Sequence, residues 1–476
     1  MACPPTAWPG LAWRAAALLG GLGLTACAPE PRDEARALRA EARAAREALD
    51  AAPAELPAEP SLEAYQRRAM AVNPGLEAAF QRCLAALERV PQATALPEPR
   101  LAYAYYVEEV QTRVGPQDHR VGVMQAFPWF GTLELRGEEA LEGARAAWRR
   151  VEAARLALAY RVAEPYAELY YLGRAIAIAR ETAELLEYIE SVARSRYRVN
   201  AAPFADVIRA QVELSTVEDR LRSLEDRREP IAARLNAALH RPARSPVPLP
   251  SALPRRRLDA SDEEVLAALR EASPELQALG HEVARGRAAL ALARKSRWPD
   301  LSLGLSTIVT GSAITDTPGS GRDAVMAEVG IELPIWRAKY AAQEREAEAR
   351  LAAAEHTLAE RRDALAAETQ QALFDLRDAE RKIALYRDSL LPRAEQALQA
   401  TQTAYKGGKA SLADLIDAQR VQLDFRLALH RALADRAQRL ALLHKLVGRP
   451  LPTRQAPPPE KPREEKQEHQ PQRPRE

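Results

Sequence analysis

The chain repeats itself once, over a very long period, and that restricts its fold more than any other feature. Asn73-Pro74-Gly75-Leu76 is echoed by Ser273-Pro274-Glu275-Leu276 and Pro99 by Pro299, both 200 residues on. Phe127-Pro128-Trp129 answers Leu333-Pro334-Ile335 at 206, and Tyr197, Asp206 and Ala210-Gln211 answer Tyr405, Asp414 and Ala418-Gln419 at 208. Arg241-Pro242 closes the series against Arg449-Pro450, again at 208. Ordered matches whose offset grows only in the middle mark an internal duplication, and the period is far too long for a solenoid. Two copies of one large unit are expected, at 61–242 and 260–452, joined by a linker at 243–259. Six added residues fall where the second copy carries the turn-rich Thr310-Gly311-Ser312 and Gly319-Ser320-Gly321, so a longer loop is expected there.

Inside each copy the hydrophobic period changes along the chain. Leu62 to Val90 reads as a helix interrupted near Asn73-Pro74, and its counterpart runs from about Ala260 to Arg297. Next, Leu301, Leu303 and Leu305 alternate with Ser302, Gly304 and Ser306, and Val325, Ala327, Val329, Ile331 and Leu333 alternate with Met326, Glu328, Gly330 and Glu332. Period two with one polar face signals strands, expected at about 301–310 and 324–333 and, in the more polar and Tyr-rich first copy, at about 101–113 and 120–127. Runs of this length suit tilted membrane strands of roughly 9 to 11 residues, and a soluble β-hairpin would show the same alternation.

Trp336 to Lys406 holds a single proline, Pro392, and keeps a heptad at Leu351, Leu358, Leu365, Ala372, Ala379 and Tyr386. A second seam, Thr369, Leu376, Ile383 and Leu390, runs beside it. Sustained heptads mean coiled-coil packing, and about seventy residues at 1.5 Å each make a rod of roughly 100 Å. Arg136 to Arg196 is the matching rod, with bends expected at Pro165 and Gly173. Both rods stop at Gly or Asn, in Tyr197-Arg198-Val199-Asn200 and Tyr405-Lys406-Gly407-Gly408, and new helices begin at Pro203 and Ser411. Each copy therefore ends in a helical hairpin.

The balance of 68 basic against 66 acidic residues, a net charge of +2, gives no reason to expect nucleic acid as a partner. With 6 Phe, 6 Trp and 13 Tyr among long Ala, Leu, Glu and Arg stretches, long helices are favoured over a large globular enzyme core. Past the N-terminus no window approaches eighteen consecutive apolar residues, so any membrane crossing falls to strands. Residues 1–26 read as an export signal with the short apolar core Ala15 to Leu24, and Leu24-Thr25-Ala26-Cys27 resembles the bacterial lipobox, which makes Cys27 the candidate lipidation site. Ala28, rather than Asp, follows it, which by the same resemblance favours the outer membrane. Residues 27–60 are expected to form a lipidated linker with a short helix, and 453–476 a disordered, charged, Pro-rich tail. The 7 histidines and 3 cysteines make no metal-ligand spacing, and there is no Walker A loop or G-x-G-x-x-G, so neither a cofactor nor an enzyme activity is expected.

The lipobox, the Asn73-Pro74 and Ser273-Pro274 helices, the strand end Gln125-Ala126-Phe127-Pro128-Trp129-Phe130-Gly131 and the two Tyr-to-Asp turns together resemble the TolC family of outer membrane efflux proteins, over about residues 60 to 452. That resemblance implies a mainly α fold with a membrane β-barrel portion: a homotrimer in which each protomer gives four strands to a 12-stranded barrel and long helical hairpins to an α-barrel. It implies an exit duct in the outer membrane lipid, served by a periplasmic adaptor and an inner-membrane pump of the RND or ABC type. The tips Val199, Asn200, Gly407, Gly408 and Ser411 become the adaptor-docking surface. Asp414 and Asp417 become a periplasmic gate, the alternative being that acidic residues so early in a helix only favour its dipole, and Tyr405 with Asp206 a tie that closes the gate. The first repeat has Arg209 at the position of Asp417, and the family's basic lock position is Ala410, with Lys409 beside it. The alternative is a structural coiled-coil lipoprotein without a pore, in which alternating strands would serve no purpose.

Overall fold

The computed structural model describes residues 30–50, 56–315 and 317–455; the signal segment, Cys27 and residues 456–476 lie outside them. In chain order the elements are α1 (Glu30–Asp50), α2 (Leu62–Val72), α3 (Pro74–Ala93), β1 (Arg100–Thr112), β2 (Gly115–Phe127), α4 (Thr132–Arg198), α5 (Phe204–Asp226) and α6 (Arg228–Ala238). They continue as β3 (Arg256–Leu258), α7 (Asp262–Ala272), α8 (Pro274–Lys295), β4 (Asp300–Thr310), β5 (Ala324–Glu332), α9 (Arg337–Leu385), a π turn (Tyr386–Leu390), α10 (Leu391–Lys406), α11 (Leu412–Val447) and β6 (Thr453–Gln455). No helix among the described residues is long and apolar enough to cross a membrane.

The chain divides into two compact units, each drawing on both repeats. Among the described residues, unit 1 comprises 30–48, Ala78–Val151 and Gln277–Glu360. Its centre is an antiparallel sheet in the order β1-β2-β4-β5, so each repeat gives one hairpin and the two meet along β2 and β4. Because side chains alternate across a strand, the register separates two faces. Gln125↔Leu303↔Val329 and Val121↔Thr307↔Val325 lie in rows on one face, where Leu303, Val325, Val329 and Ile331 are exposed. Gly122↔Ser306↔Met326 and Met124↔Gly304↔Glu328 make the other, where the Ser306 hydroxyl donates to Glu328 at 2.9 Å and Arg120 forms an ion pair with the same carboxylate. Strand β2 starts five residues before the expected 120, because Thr112 and Gly115 pair across a tight turn. Gly115, at φ 136°, cannot carry a side chain: a Cβ would stand 1.7 Å from the Gly311 carbonyl oxygen. The longer β4–β5 loop packs there, Gly311 and Gly321 donating to the Pro116 and Val114 carbonyls.

Helix α1 lies against α3 and α4 in the same unit. Arg39 pairs with Glu88 at 2.8 Å, the Trp148 indole donates to Glu41 at 3.2 Å, and Ala35 and Ala42 are buried. The short helix expected in the linker is thus a packed element.

Among the described residues, unit 2 comprises 49–50, 56–77, Glu152–Leu276 and 361–455. The duplication is visible in its caps. Ser61 and Ser261 each accept a backbone N–H at the start of a helix, and Asn73 and Ser273 each end one by donating to a carbonyl four residues back. The Asn73 amide also donates to the Ala238 carbonyl at 3.0 Å. Leu365, Thr369, Ala372, Leu376, Ala379 and Ile383 are buried along α9, as the heptads anticipate. Leu351 and Leu358, also placed on the seam, are only half-buried in unit 1.

The second rod carries a local irregularity that spacing alone does not place: Pro392 has no N–H and its ring crowds the carbonyl four residues back, and the helix, unbroken from Arg337 to Lys406, accommodates it with the π turn just before α10. The first rod is likewise helical throughout Thr132–Arg198, with Pro165 and Gly173 both inside it. Finally, the expected tail and linker each contribute a short strand, Thr453–Gln455 pairing with Arg256–Leu258.

Candidate functional site

Both helical hairpins turn in the same way. Asn200 at φ 56° and Gly408 at φ 72°, 208 residues apart, take the left-handed conformation that ends α4 and α10. Ala201 donates to the Arg196 carbonyl and Lys409 to the Ala404 carbonyl, both at 2.8 Å, which satisfies the terminal carbonyls of each helix. Val199, Asn200, Gly407, Gly408 and Ser411 are all exposed on these turns.

Beneath the turns, Leu186, Ile189, Val207, Leu412 and Ile416 form one core with Tyr405, which is 4% exposed. The Arg196 guanidinium lies 4.8 Å over the Tyr405 ring and donates to the Tyr405 carbonyl. Burial pushes the phenol's pKa up; the Arg196 charge opposes this and the Asp206 charge adds to it. The Tyr405 hydroxyl has no hydrogen-bond partner among the described residues. Asp206 and Tyr405 therefore act on each other through space, and no hydrogen bond ties them.

The two candidate gate carboxylates differ in their surroundings. Asp414 completes a capping box: its carboxylate accepts from the Ser411 amide at 2.9 Å and hydroxyl at 2.7 Å, and its own amide donates back to that hydroxyl. These bonds hold its carboxyl below the usual carboxylate range. Asp417 points into solvent, with the Arg420 guanidinium 3.8 Å away. Both residues are exposed.

Sequence reasoning missed Glu213, a carboxylate 6% exposed that takes the Arg420 Nε at 2.9 Å. The signal was available: Glu213 falls in line with Val207, Ala210 and Val217, the buried stripe of α5. It also missed the opposite stripe of α5, where Phe204, Ile208 and Val212 are exposed at helical spacing. In unit 1, Trp129 and Trp298 stack at 5.1 Å beside the sheet, the Trp129 amide donates to Asp300 at 2.9 Å, and Phe130 and Trp336 are exposed nearby in sequence.

Residues 265–449 match the family described as outer membrane efflux protein. Among curated proteins none matches the sequence. Among solved structures, the chain is similar to the outer membrane protein VceC from the bacterial pathogen Vibrio cholerae, at 21% identity over 82% of this chain and 96% of that one, with a TM-score of 0.68. It is similar to the Campylobacter jejuni CmeC outer membrane channel at 15% identity over 81% and 85%, TM-score 0.66. The open state of the Neisseria gonorrhoeae MtrE outer membrane channel matches at 21% identity over 82% and 89%, TM-score 0.66. At these identities the likeness is one of fold, and it extends over both repeats.

Proposed function

We propose that this chain is a member of the outer membrane efflux protein family and the passive exit duct of a tripartite efflux or type I secretion machine. The sheet carries the reading. One face exposes Leu303, Val325, Val329 and Ile331, the other holds glycines and the Arg120–Glu328 pair, and the outer edges of β1 and β5 have no partner among the described residues. Lipid tolerates neither unpaired strand edges nor a sheet polar on its outer face, so the sheet closes with copies of itself. Three copies give a 12-stranded barrel, apolar outside and polar within. The Trp129–Trp298 stack supports the placement, as aromatic residues collect at the membrane interface.

The helical hairpins extend into the periplasm, where the tips around Val199, Asn200, Gly407, Gly408 and Ser411 receive an adaptor. The exposed Phe204, Ile208 and Val212 stripe is covered by a neighbouring protomer. An inner-membrane pump, of RND or ABC type, supplies the energy, and the duct conducts passively. Acylation of Cys27 anchors the chain to the outer membrane.

Purified in detergent, the protein is expected to have three times its 52.4 kDa chain mass plus the micelle, less the cleaved signal, and to form channels in planar bilayers. A monomer without conductance would overturn the duct and leave a non-pore lipoprotein scaffold.

A further inference from the structure

Unit 1 contains a groove of about 560 Å³ between α3, α4 and α8, open on one side and within the roughly 300–1,000 Å³ range of small-molecule sites. Its floor is made small by alanines of α3 and α4 and by Gly143. Its walls are strongly basic: Arg82 and Arg89 from α3, Arg136 and Arg150 from α4, and Arg285 from α8. Only two carboxylates face them. Glu282 takes Arg150 at 2.8 Å, and Arg285 is shared between Glu282 at 3.5 Å and Glu139 at 3.6 Å. Both glutamates are thereby occupied, and Arg82, Arg89 and Arg136 have no carboxylate partner among the described residues.

The placement of these arginines is not general surface charge. On the other side of the same helices, Phe80, Glu88, Gly137, Arg145 and Trp148 meet α1. The groove residues of α4 recur at 136, 139, 140, 143, 147 and 150, a helical stripe turned away from that covered side. Arg82 and Arg89 stand two turns apart, about 10 Å, and Arg136 and Arg150 four turns apart, about 21 Å. Charge is thus strung along the groove rather than gathered at one point. Guanidinium groups bind phosphate and carboxylate through paired N–H donors, and helix-borne arginines over small residues leave room for such a group to approach.

We propose that this groove binds an elongated anion bearing two or more phosphate or carboxylate groups, held by the Arg82, Arg89 and Arg136 guanidiniums. The phosphates come either from a free solute or from the headgroup of a membrane lipid. The site lies within one chain and does not depend on the pore.

The test is calorimetric titration of the full-length, detergent-purified protein with inorganic tripolyphosphate in one arm and cardiolipin micelles in the other. The combined R82Q/R89Q/R136Q variant keeps side-chain bulk and removes three exposed charges. At least tenfold weaker binding in that variant is expected, for tripolyphosphate if the anion is a free solute and for cardiolipin alone if it is a lipid headgroup. The R222Q/R227Q/R255Q variant, which changes exposed arginines of unit 2 by the same net charge, is expected to bind as the parent does. Equal affinity in parent and groove variant, equal weakening in both variants, or no binding in either arm would overturn the site. Should the triple variant fail to fold, R89Q alone gives the same reading. No membrane or pump enters the titration, so its failure leaves the duct standing, and a chain without conductance leaves the groove in place.

Discussion

The Glu213 carboxylate of α5 in the first repeat is held by the Arg420 guanidinium of α11 in the second, Nε to Oε1 at 2.9 Å, with a second nitrogen on the other carboxylate oxygen. The pair is asymmetric: Glu213 is 7% exposed at its side chain and Arg420 56%. Arg420→Ala leaves a carboxylate in the tip core without its cation, a loss of about 1–3 kcal/mol. Glu213→Gln keeps an acceptor for the guanidinium and leaves the cation in water, which costs about 1 kcal/mol or less. Thermal melts followed by circular dichroism should therefore fall further for Arg420→Ala than for Glu213→Gln. Equal losses would mean that the carboxylate does not depend on its partner.

The tip turns offer a second measurement. Gly408 at φ 72° and Asn200 at φ 56° occupy the same position in the two repeats, and only one of them is free of a Cβ. Gly408→Ala places a side chain in the left-handed region and is expected to cost about 1–2 kcal/mol. Asn200→Gly relieves that strain and is expected to be neutral or slightly stabilising. Denaturant midpoints of the two variants should move in opposite directions, or the second should not move.

What was legible in the sequence follows the range of the interaction. The alternation at Leu301, Leu303 and Leu305 and the heptad at Leu365, Ala372 and Ala379 are local, because side-chain direction repeats along one element, and both are realised. The pairing of β2 with β4 is not local. Nothing in Val123 or Leu305 alone says they are partners, since register is set by two hairpins separated by about 180 residues of chain. The Thr453–Gln455 strand was missed for the same reason: three residues carry no period, and Arg256–Leu258 supplies their partner. At the tip, the positions of Asp414 and Asp417 were legible, and their difference was not. Ser411 captures one carboxylate and Arg420 stands beside the other, and both depend on side-chain geometry rather than spacing.

His430 gives a pH dependence. Its ring stands 3.2 Å from the Tyr170 hydroxyl, and burial, with Arg174 and Arg426 adding, lowers its pKa from 6.5 to about 4. The folded chain thus holds the neutral ring while the unfolded chain takes up a proton at its ordinary pKa. Stability is fully present above about pH 6.5, declines as pH falls toward 4, and declines no further from this group below that. The ring's partial exposure tempers the size of the effect. Melting temperatures between pH 7 and 4 should fall less steeply in His430→Gln than in the parent. Parallel slopes would assign the acid sensitivity elsewhere.

Anchoring is tested at Cys27, in Leu24-Thr25-Ala26-Cys27. Two or three acyl chains attach a protein stably where one is marginal. Cys27→Ser should lose palmitate labelling in growing cells, while the exported chain still assembles through its strands. Retained label would remove the lipid anchor.

The last prediction separates the two gate carboxylates. If the chain is the trimeric duct proposed above and Asp414 and Asp417 line its mouth, six carboxylates gather there, and a ring of like charge in a narrow opening attracts cations. They do not contribute equally. The Asp414 carboxylate accepts two hydrogen bonds from Ser411, which spread its charge into the helix start, so Asp414→Asn mainly weakens the cap. Asp417 is 73% exposed at its side chain, and the Arg420 guanidinium, at 3.8 Å, is itself held by Glu213. Asp417→Asn keeps the size and removes the charge, and should move the reversal potential under a KCl gradient toward non-selectivity further than Asp414→Asn does. Arg420→Gln removes the opposing cation and should move it the other way, toward stronger cation preference. The Ser411→Ala variant provides the control: it frees the Asp414 carboxylate from the hydroxyl without altering net charge, costs about 1 kcal/mol of helix stability, and should raise the weight of Asp414 in the selectivity. If Asp414→Asn shifts the potential as much as Asp417→Asn in intact trimers, the capping bond does not withdraw that carboxylate from the passage. If neither shifts it, both aspartates serve only to start helix α11.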